Sequence, residues 1–539
     1  MKYPAKLEKL FALDRERVYL SRAAAVLRWD EETYMPPLAV EERAEQLAVL
    51  EGLAHEKLTG PEIGGLLHEL GVSGEPSVSP DGAALPDGLS GTADLPDEAR
   101  DFLKVLGRDY RRAVRLPSDF VRESARAEGL SQAAWIEARK KSDFSAFVPH
   151  LKKMIEYARK KAEYWGFGPA AGNAAGNAET ADPPSGLRPG SSVYDGLLDS
   201  FEPGMGEAEI DAVFRPLKER LQKLLRKIAA APKPDAAFLR AEYDINSQKD
   251  FSRELLAGLG FDPRRGRLDE SAHPFTTTLG SNDVRITTRY ARNDPMSGIF
   301  SVIHESGHAF YELAVDPALR ATCLAEGVSM GIHESQSRLW ENVIGRSRAF
   351  WEGWFPALKS RFPGQLAGVE LPAFYRAVNA AGPSLIRTEA DEVSYSLHII
   401  LRFELERRLI SGGLSVEDAP AAWNAAVGEL FGLEVPDDAS GILQDVHWSM
   451  GAFGYFPSYA LGNLYALQFW NKCRADLRIE ELLVRREYAD IHKWLKEKIH
   501  AFGRRLDPAE LLERAAGEKL SAIPFLEYLE TKYAELYGF

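Results

Sequence analysis

The sequence predicts a mainly α protein with one small β-sheet. Apolar residues recur at helical spacing along most of its 539 residues, and this period is the main signal for amphipathic helices. One segment differs: Phe275–Leu279 and Val284–Tyr290 are rich in strand-forming residues and flank Gly280-Ser281-Asn282-Asp283. That arrangement predicts a hairpin, and an edge strand there can pair with an extended peptide.

The helices are expected in a definite order along the chain. The first spans residues 5–29 and is broken by the Trp29–Pro37 stretch, and the second ends near residue 58. Another helix is expected from residue 295, where Asp294 can cap it and Pro295 suits its first turn. Further helices are predicted at 97–114, 118–165, 207–231, 327–344, 346–359, 383–411, 416–431 and 455–474, with two or three more before the C-terminus.

Two stretches interrupt the helical pattern. Residues 72–96 and 166–192 are rich in residues that favour turns and loops, including Gly, Pro, Ser, Asn and Asp, and such clusters mark loops. The helical pattern has the same character on both sides of each stretch. We therefore interpret them as surface insertions in one domain of residues 1–539.

Composition excludes several functional classes. The formal net charge is −14, which gives no basic surface for nucleic acid or an anionic membrane. The two cysteines, Cys323 and Cys473, argue against a disulfide scaffold and fit a reducing compartment. The first residues have no apolar signal-peptide region, and no apolar run approaches the ~18 residues of a membrane span. We expect a cytoplasmic protein with neither nucleic-acid nor membrane partners.

The most specific chemistry lies in His-Glu-Ser-Gly-His at residues 304–308. Helical residues four apart differ by about 40° in direction and roughly 6 Å in rise, so His304 and His308 can hold one cation. Neutral imidazole is a natural zinc ligand. Glu305 lies beside the metal, where it can take a proton from the attacking water. Gly307 costs about 1 kcal/mol relative to Ala, which a close approach of backbone near the metal or a packed strand would explain.

A third protein ligand is needed, since catalytic zinc usually has three such ligands and one water. A third histidine soon after the motif is excluded because the required position is Ala314. Glu312 lies too close on the same helix to wrap around the ion. Among the downstream acids we favour Glu334, and Glu326 and Glu341 remain open alternatives.

Several motifs in this order resemble the carboxypeptidase Taq family of zinc metallocarboxypeptidases. The early stretch Trp29–Pro36 also resembles the family's N-terminal signature, with Glu31 where Gln is more usual. The resemblance covers essentially the whole chain, and the two insertions are the departures from it. The motifs that carry it are Asp283-Val-Arg-Ile-Thr287, His304-Glu-Ser-Gly-His308, His333-Glu-Ser-Gln336, Ile386-Arg-Thr-Glu-Ala-Asp391 and Gly441-Ile-Leu-Gln-Asp-Val-His-Trp448.

The resemblance implies a saddle-like helical fold with a deep active-site groove, similar to angiotensin-converting enzyme and neurolysin-type oligopeptidases. It implies a homodimer that removes single C-terminal residues from peptides, with broad specificity and poor action at Pro. It also implies that Glu334 is the third ligand of one Zn²⁺ per chain. Co²⁺ or Mn²⁺ can occupy the same ligands, because affinity alone does not select a metal.

The expected activity also requires hydrogen-bond donors for the oxyanion and a binding site for the substrate carboxylate. We expect Tyr455 to donate to the oxyanion, because its segment resembles the one that carries the oxyanion tyrosine in angiotensin-converting enzyme, and His447 to be a second donor to the substrate carbonyl. An exopeptidase must also recognise a free carboxylate, for which the forked guanidinium of Arg is suited. Arg387 is our first candidate and Arg285 our second.

Three further residues are assigned to the surroundings of the site. His333 either lines the substrate pocket or supports Glu334, and Gln336 is placed in the same pocket. Asp391 is expected to orient a metal ligand or Arg387. The alternative function is a zinc oligopeptidase that cuts within short peptides. A binding protein with a dead site is disfavoured because Glu305 is intact, and a phosphate-transfer enzyme because the sequence lacks a P-loop motif.

Overall fold

The computed structural model describes residues 3–72, 92, 94–168 and 191–539. Over these residues the protein is mainly α with one three-stranded sheet, which confirms the predicted fold class. Most of the two predicted insertions, 72–96 and 166–192, lies outside the described residues. No described helix combines the length and the apolar character that crossing a membrane requires.

Helices account for most of the described chain. Residues Leu339–Ile344 continue the eleventh helix as a π-helical turn. The helices are α1 (Ala5–Thr33), α2 (Val40–Thr59), α3 (Pro61–Glu69), α4 (Asp97–Val114), α5 (Ser118–Lys141), α6 (Phe144–Tyr164), α7 (Val193–Leu198), α8 (Glu207–Ala230), α9 (Ile245–Gly258), α10 (Pro295–Ala314), α11 (Met330–Arg338), α12 (Arg348–Arg361), α13 (Pro363–Leu366), α14 (Leu371–Val378), α15 (Tyr395–Ser411), α16 (Ala419–Phe431), α17 (Phe456–Asp476), α18 (Ile479–Arg485), α19 (Ala489–Lys498), α20 (Pro508–Ala516) and α21 (Ile523–Tyr537).

Two predicted helix boundaries in the first third of the chain are wrong. The first helix continues past Trp29 to Thr33, because Trp29 is buried and the chain leaves the helix only before the prolines at 36–37. The predicted helix 118–165 is divided into α5 and α6. Ser142 adopts a left-handed conformation with φ 52°, and Asp143 accepts a hydrogen bond from the amide of Ser145 to cap the second helix.

The predicted helix 383–411 begins only at Tyr395. The preceding loop is held by Asp391, whose carboxylate accepts hydrogen bonds from the amides of Gly382, Val393 and Ser394. A side chain thus satisfies the backbone donors that a helix would otherwise use. Helices α3, α7, α9, α13 and α14 were not predicted, and four helices follow α17 where two or three were expected.

The sheet contains the predicted hairpin and one additional strand. Strands β1 (Gly266–Glu270), β2 (Thr276–Gly280) and β3 (Asp283–Thr288) lie in the order β1-β3-β2. The hairpin strands β2 and β3 are antiparallel, whereas β1 runs parallel to β3. The polar sequence of β1 lacks a strand signature, which is why it was missed. β2 is therefore an edge strand, since no other strand of the described residues pairs with its outer side.

The core places the metal-binding motif between packed helices. A large cluster of buried apolar side chains runs from α5 to α21, and a smaller one joins α1, α3 and α4 to residues 315–325. A Cβ atom on Gly307 would lie 2.5 Å from the carbonyl oxygen of Gln336. This confirms that another backbone, that of α11, approaches there. Similarly, a Cβ on Gly462 of α17 would lie 2.6 Å from Cγ of Glu334, so Gly462 leaves the space that Glu334 occupies.

Candidate metal centre

His304, His308 and Glu334 converge from two helices. One ligand atom from each lies within 4.8 Å of the other two. The Nε2 atoms of His304 and His308 are 3.9 Å and 3.6 Å from Oε2 of Glu334. Two imidazoles and one carboxylate match the donor set of catalytic zinc sites that keep a position open for water. These residues therefore fit a divalent metal.

The two acidic alternatives have other partners. The Glu326 side chain is 57% exposed and lies 3.6 Å from Arg504. Glu341 contacts the Nδ1 atom of His304 with its Oε2 at 2.8 Å. Among the described residues, the group of three converging ligand atoms includes Glu334 and neither Glu326 nor Glu341.

Neighbouring residues orient the metal-ligand candidates His304 and Glu334. Asp294 caps α10 by accepting from the amide of Ser297 at 3.2 Å, as predicted. Because Glu341 accepts the Nδ1 proton of His304, the Nε2 lone pair of that imidazole is left for a metal. Arg338 donates from Nε to Oε1 of Glu334 at 2.6 Å, which leaves Oε2 facing the histidines. Glu341 lies in the π-helical turn, and such turns often occur at functional sites.

His333 contacts a metal-ligand candidate rather than Glu334. Its Nδ1 lies 2.7 Å from Nδ1 of His308, and its Nε2 lies 2.8 Å from Oε1 of Glu312. The sequence predicted that His333 lines the substrate pocket or supports Glu334, and the contact with His308 was not predicted. The sequence carried a signal for it, since Glu312 follows His308 by four residues and shares its helix face.

Glu305 lies beside the ligands and is held by the edge strand. Its side chain is largely buried, with 6% of the residue exposed. The hydroxyl of Thr276 lies 2.7 Å from Oε2 of Glu305 and 3.0 Å from its carbonyl oxygen. Burial raises the pKa of Glu305, and the carboxylates of Glu334 and Glu341 raise it further. A more basic carboxylate is better suited to accept a proton near neutral pH.

Tyr455 directly precedes α17, and its ring lies near that of His447, which belongs to the short 3-10 turn before it. Their ring centroids are 5.5 Å apart, and Nε2 of His447 is 3.2 Å from the hydroxyl of Tyr459. Burial raises the pKa of Tyr455 to about 12, with the Glu334 carboxylate as the next contribution. Burial lowers the pKa of His447 to about 4. At neutral pH the tyrosine therefore keeps its proton and the imidazole is uncharged. Tyr459 was missed, although its four-residue spacing from Tyr455 was a signal.

Arg387 belongs to a buried charge cluster. It is 7% exposed, and its Nε donates to Oδ1 of Asp445 at 2.8 Å while Nη1 donates to the hydroxyl of Tyr395 at 3.2 Å. Asp445 also accepts from Nε of Arg402 at 2.7 Å. Two guanidinium groups thus share one carboxylate, which leaves an excess positive charge suited to an anion. Arg402 and Asp445 were not predicted as site residues, although Asp445 belongs to the motif of residues 441–448.

Three predicted residues have contacts away from the ligands. Arg285 pairs with Asp283 at 3.0 Å, and its guanidinium lies 4.3 Å from the ring centroid of Trp29. Gln336 contacts His500, its Oε1 lying 2.8 Å from Nε2 of the imidazole. Asp391 binds the loop amides described above rather than Arg387. The functional assignments of these residues stay predictions without a contact to the metal centre.

Comparisons with known proteins agree with this geometry. The family model for carboxypeptidase Taq (M32) metallopeptidase matches residues 9–173 and 180–533. Thermostable carboxypeptidase 1 of Thermus thermophilus is 43% identical over 537 residues, which cover 99% of each chain. Carboxypeptidase 1 of Bacillus subtilis is 38% identical over 532 residues, which cover 98% of each chain.

A solved structure extends the similarity to the fold. The M32 carboxypeptidase from Deinococcus radiodurans R1 aligns with a TM-score of 0.90 and 39% identity, covering 99% of this chain and 100% of that one. The family match spans nearly the whole sequence and includes every metal-ligand candidate. The chain therefore belongs to the carboxypeptidase Taq (M32) family, and it is a metallocarboxypeptidase that uses a divalent metal and acts on peptides.

Proposed function

We propose that this chain is a zinc-dependent carboxypeptidase that removes single residues from peptide C-termini, with broad specificity and little action at Pro. The observation that carries the proposal is the convergence of His304, His308 and Glu334 within 4.8 Å, with Glu305 adjacent. We expect one Zn²⁺ per chain, with Co²⁺ or Mn²⁺ as substitutes. We also propose a single peptidase domain, a homodimer and a cytoplasmic location.

Glu305 is the proposed general base. A divalent metal held by His304, His308 and Glu334 would supply Lewis-acid activation of water and of the scissile carbonyl. Glu305 takes the proton of the attacking water and later delivers it to the leaving amine. The hydroxyl of Thr276, 2.7 Å from Oε2, fixes the orientation of the carboxylate, so that a defined oxygen faces the reacting water.

The outer side of β2 offers a binding edge for the substrate backbone. The amide of Thr287 donates to the carbonyl of Phe275 at 2.9 Å. Because alternate residues of a strand point their amide and carbonyl groups to opposite sides, those of Thr276 and Thr278 point outward. Arg22 already occupies the carbonyl of Thr278 at 3.1 Å. An extended peptide can therefore pair with β2 at Thr276, next to the general base.

Tyr455→Phe should lower kcat about 100-fold with little change in KM. Loss of one donor to a developing oxyanion typically costs that much or more, and the hydroxyl of Tyr455 stays protonated at neutral pH because its pKa is raised to about 12. Steady-state kinetics on a short peptide measures both constants. Tyr459→Phe is the matched control, which removes a hydroxyl one helical turn away and should have the smaller effect on kcat. A wild-type kcat in Tyr455→Phe, alongside an inactive Glu305→Gln enzyme, would exclude the assignment.

Arg387→Ala should raise KM for free-acid peptides by about tenfold or more and change KM for the same peptides as amides much less. A charge-assisted hydrogen bond contributes about 1.5–3 kcal/mol, and only the free acid carries the anion that Arg387 would bind. The ratio of the two KM values is the readout. Arg285→Ala tests the second candidate in the same assay. Equal effects of Arg387→Ala on acid and amide would contradict its role.

A further inference from the structure

The two histidine candidates for the metal have different supports. His304 contacts a carboxylate directly, Glu341, at 2.8 Å. His308 instead contacts a second histidine, His333, with their Nδ1 atoms 2.7 Å apart. The far nitrogen of His333 lies 2.8 Å from Oε1 of Glu312. Glu312, His333 and His308 thus form a continuous chain of hydrogen bonds that ends at the metal centre.

One arrangement of protons satisfies this chain. Nε2 of His308 faces Glu334 at 3.6 Å, and it must be unprotonated to bind a metal. Nδ1 of His308 then carries the proton and donates to Nδ1 of His333, which must accept. Nε2 of His333 therefore carries the remaining proton and donates to Glu312, since a carboxylate only accepts. The hydrogen bond at one ring nitrogen sets the state of the other.

Packing holds His333 in this position. The planes of the His333 and His308 rings are within 26° of each other and their centroids are 4.6 Å apart, as expected for two imidazoles joined edge to edge at Nδ1. On another side the His333 ring meets the ring of the buried Tyr311, with centroids 5.4 Å apart. A Cβ atom on Gly327 would lie only 2.7 Å from Cδ2 of His333, so the loop before α11 passes close to the ring. The imidazole therefore has little room to turn away from His308.

Glu312 has His333 as its hydrogen-bonding partner among the described residues. Its side chain is 10% exposed and lines a cavity of about 240 Å³ between α1 and β2, together with Arg22 and Glu326. Among the described residues, the ion-pair contact of this carboxylate is with His333 rather than with an Arg or Lys. Glu312 is thus the outer end of the hydrogen-bond chain, and its hydrogen bond serves His333 rather than another part of the fold.

We propose that Glu312 and His333 are positioning residues that keep the proton of His308 on Nδ1 and thereby hold its Nε2 ready for the metal. This inference rests on the proposed assignment of His308 as a ligand. Outer groups that orient a metal-binding histidine typically change metal affinity by 10–100-fold when removed. Glu312 and His333 therefore set how tightly the enzyme retains its metal, without touching metal or substrate.

Zinc affinity of the full-length protein tests the proposal. Competition with a chromogenic chelator gives the dissociation constant and the release rate of Zn²⁺. We expect Glu312→Ala to weaken binding about 10-fold and Glu312→Gln, which keeps an acceptor oxygen, to weaken it less. His333→Phe, which keeps an aromatic ring but lacks the ring nitrogens, should weaken binding by at least as much as Glu312→Ala. The Glu312→Ala/His333→Phe double variant should bind as His333→Phe does, because both act along one chain.

Two controls separate the possible failures. Glu326→Gln neutralises an exposed acid in the same cavity and should bind Zn²⁺ like wild type. His308→Ala should lose Zn²⁺, and unchanged binding in that variant would overturn the metal-site assignment itself. If His308→Ala loses Zn²⁺ but Glu312→Ala binds like Glu326→Gln, the positioning role is wrong. Additive losses in the double variant would also refute it. If the metal-free Glu312→Ala protein does not fold, Glu312→Gln replaces it in the test. A Zn²⁺ affinity equal to wild type in Glu312→Gln would then contradict the positioning role of Glu312.

Discussion

Glu305→Gln should reduce kcat by about 10³-fold while leaving Zn²⁺ affinity close to wild type. General acid-base catalysis contributes typically 10²–10⁴-fold, and an amide cannot take a proton from water. Gln has the shape of Glu and can still accept the hydrogen bond that Thr276 makes to Oε2 at 2.7 Å. The substitution therefore removes the proposed base and preserves the three ligands.

Single-turnover hydrolysis and metal titration of the same preparation measure both effects. Thr276→Val and Thr276→Ser form a matched pair around this residue. We expect Thr276→Val to lower kcat through loss of carboxylate orientation, and Thr276→Ser to retain most activity. If Glu305→Gln hydrolyses peptides at the wild-type rate with zinc bound, another group is the base and the proposed mechanism fails.

Asp445→Asn should destabilise the protein by about 3 kcal/mol and weaken its preference for free-acid peptides. Asp445 is the shared partner of Arg387 and Arg402, both at 2.8 Å or less, and none of the three side chains is more than 9% exposed. Removing one partner of a buried ion pair leaves an uncompensated charge, which costs about 3–5 kcal/mol. The guanidinium that is proposed to receive the substrate carboxylate would also lose its orientation.

The pH dependence of stability gives a second readout for Asp445. Burial raises its pKa, but Arg402 and Arg387 outweigh burial and hold that pKa well below its usual range. The carboxylate therefore stabilises the fold fully above the ordinary Asp pKa of about 4, and this contribution is lost as pH falls toward the depressed value. Asp445→Asn should narrow the difference in unfolding midpoint between neutral and acidic pH.

Glu404→Gln is the control for this stability change. Glu404 lies on α15 near Arg402, but its side chain is 33% exposed and pairs with Lys218 at 3.0 Å. Exposed pairs contribute about 0–1 kcal/mol, so the unfolding midpoint in denaturant should change little. If Asp445→Asn shifts the midpoint no more than Glu404→Gln does, the buried cluster is not a major contribution to stability.

The sequence predicted those parts of the site that depend on local geometry. His304, Glu305 and His308 lie on one helix, and their relative directions follow from its period alone. Glu334 comes from a second helix. The character of its segment favoured it over Glu326 and Glu341, and the family resemblance implied the same ligand. The hairpin was also predictable, because its turn and its strand-forming residues are contiguous in the chain.

The residues that support the ligands could not be predicted in the same way. The contact between His333 and His308 depends on how α10 and α11 cross, which the close approach at Gly307 permits. Likewise, the sequence motif around Arg387 looked helical, but the hydrogen bonds of Asp391 hold it as a loop. Such contacts depend on tertiary packing, which local propensity does not encode.

The most direct test of the central claim is mass spectrometry of one peptide offered both as free acid and as C-terminal amide. The reaction is run with enzyme alone, with chelator and after zinc is restored. We predict a ladder of single C-terminal losses from the free acid only, abolished by chelator and recovered with zinc. Internal fragments from both forms would contradict a carboxypeptidase and support an oligopeptidase, and cleavage that survives chelation would contradict the metal site.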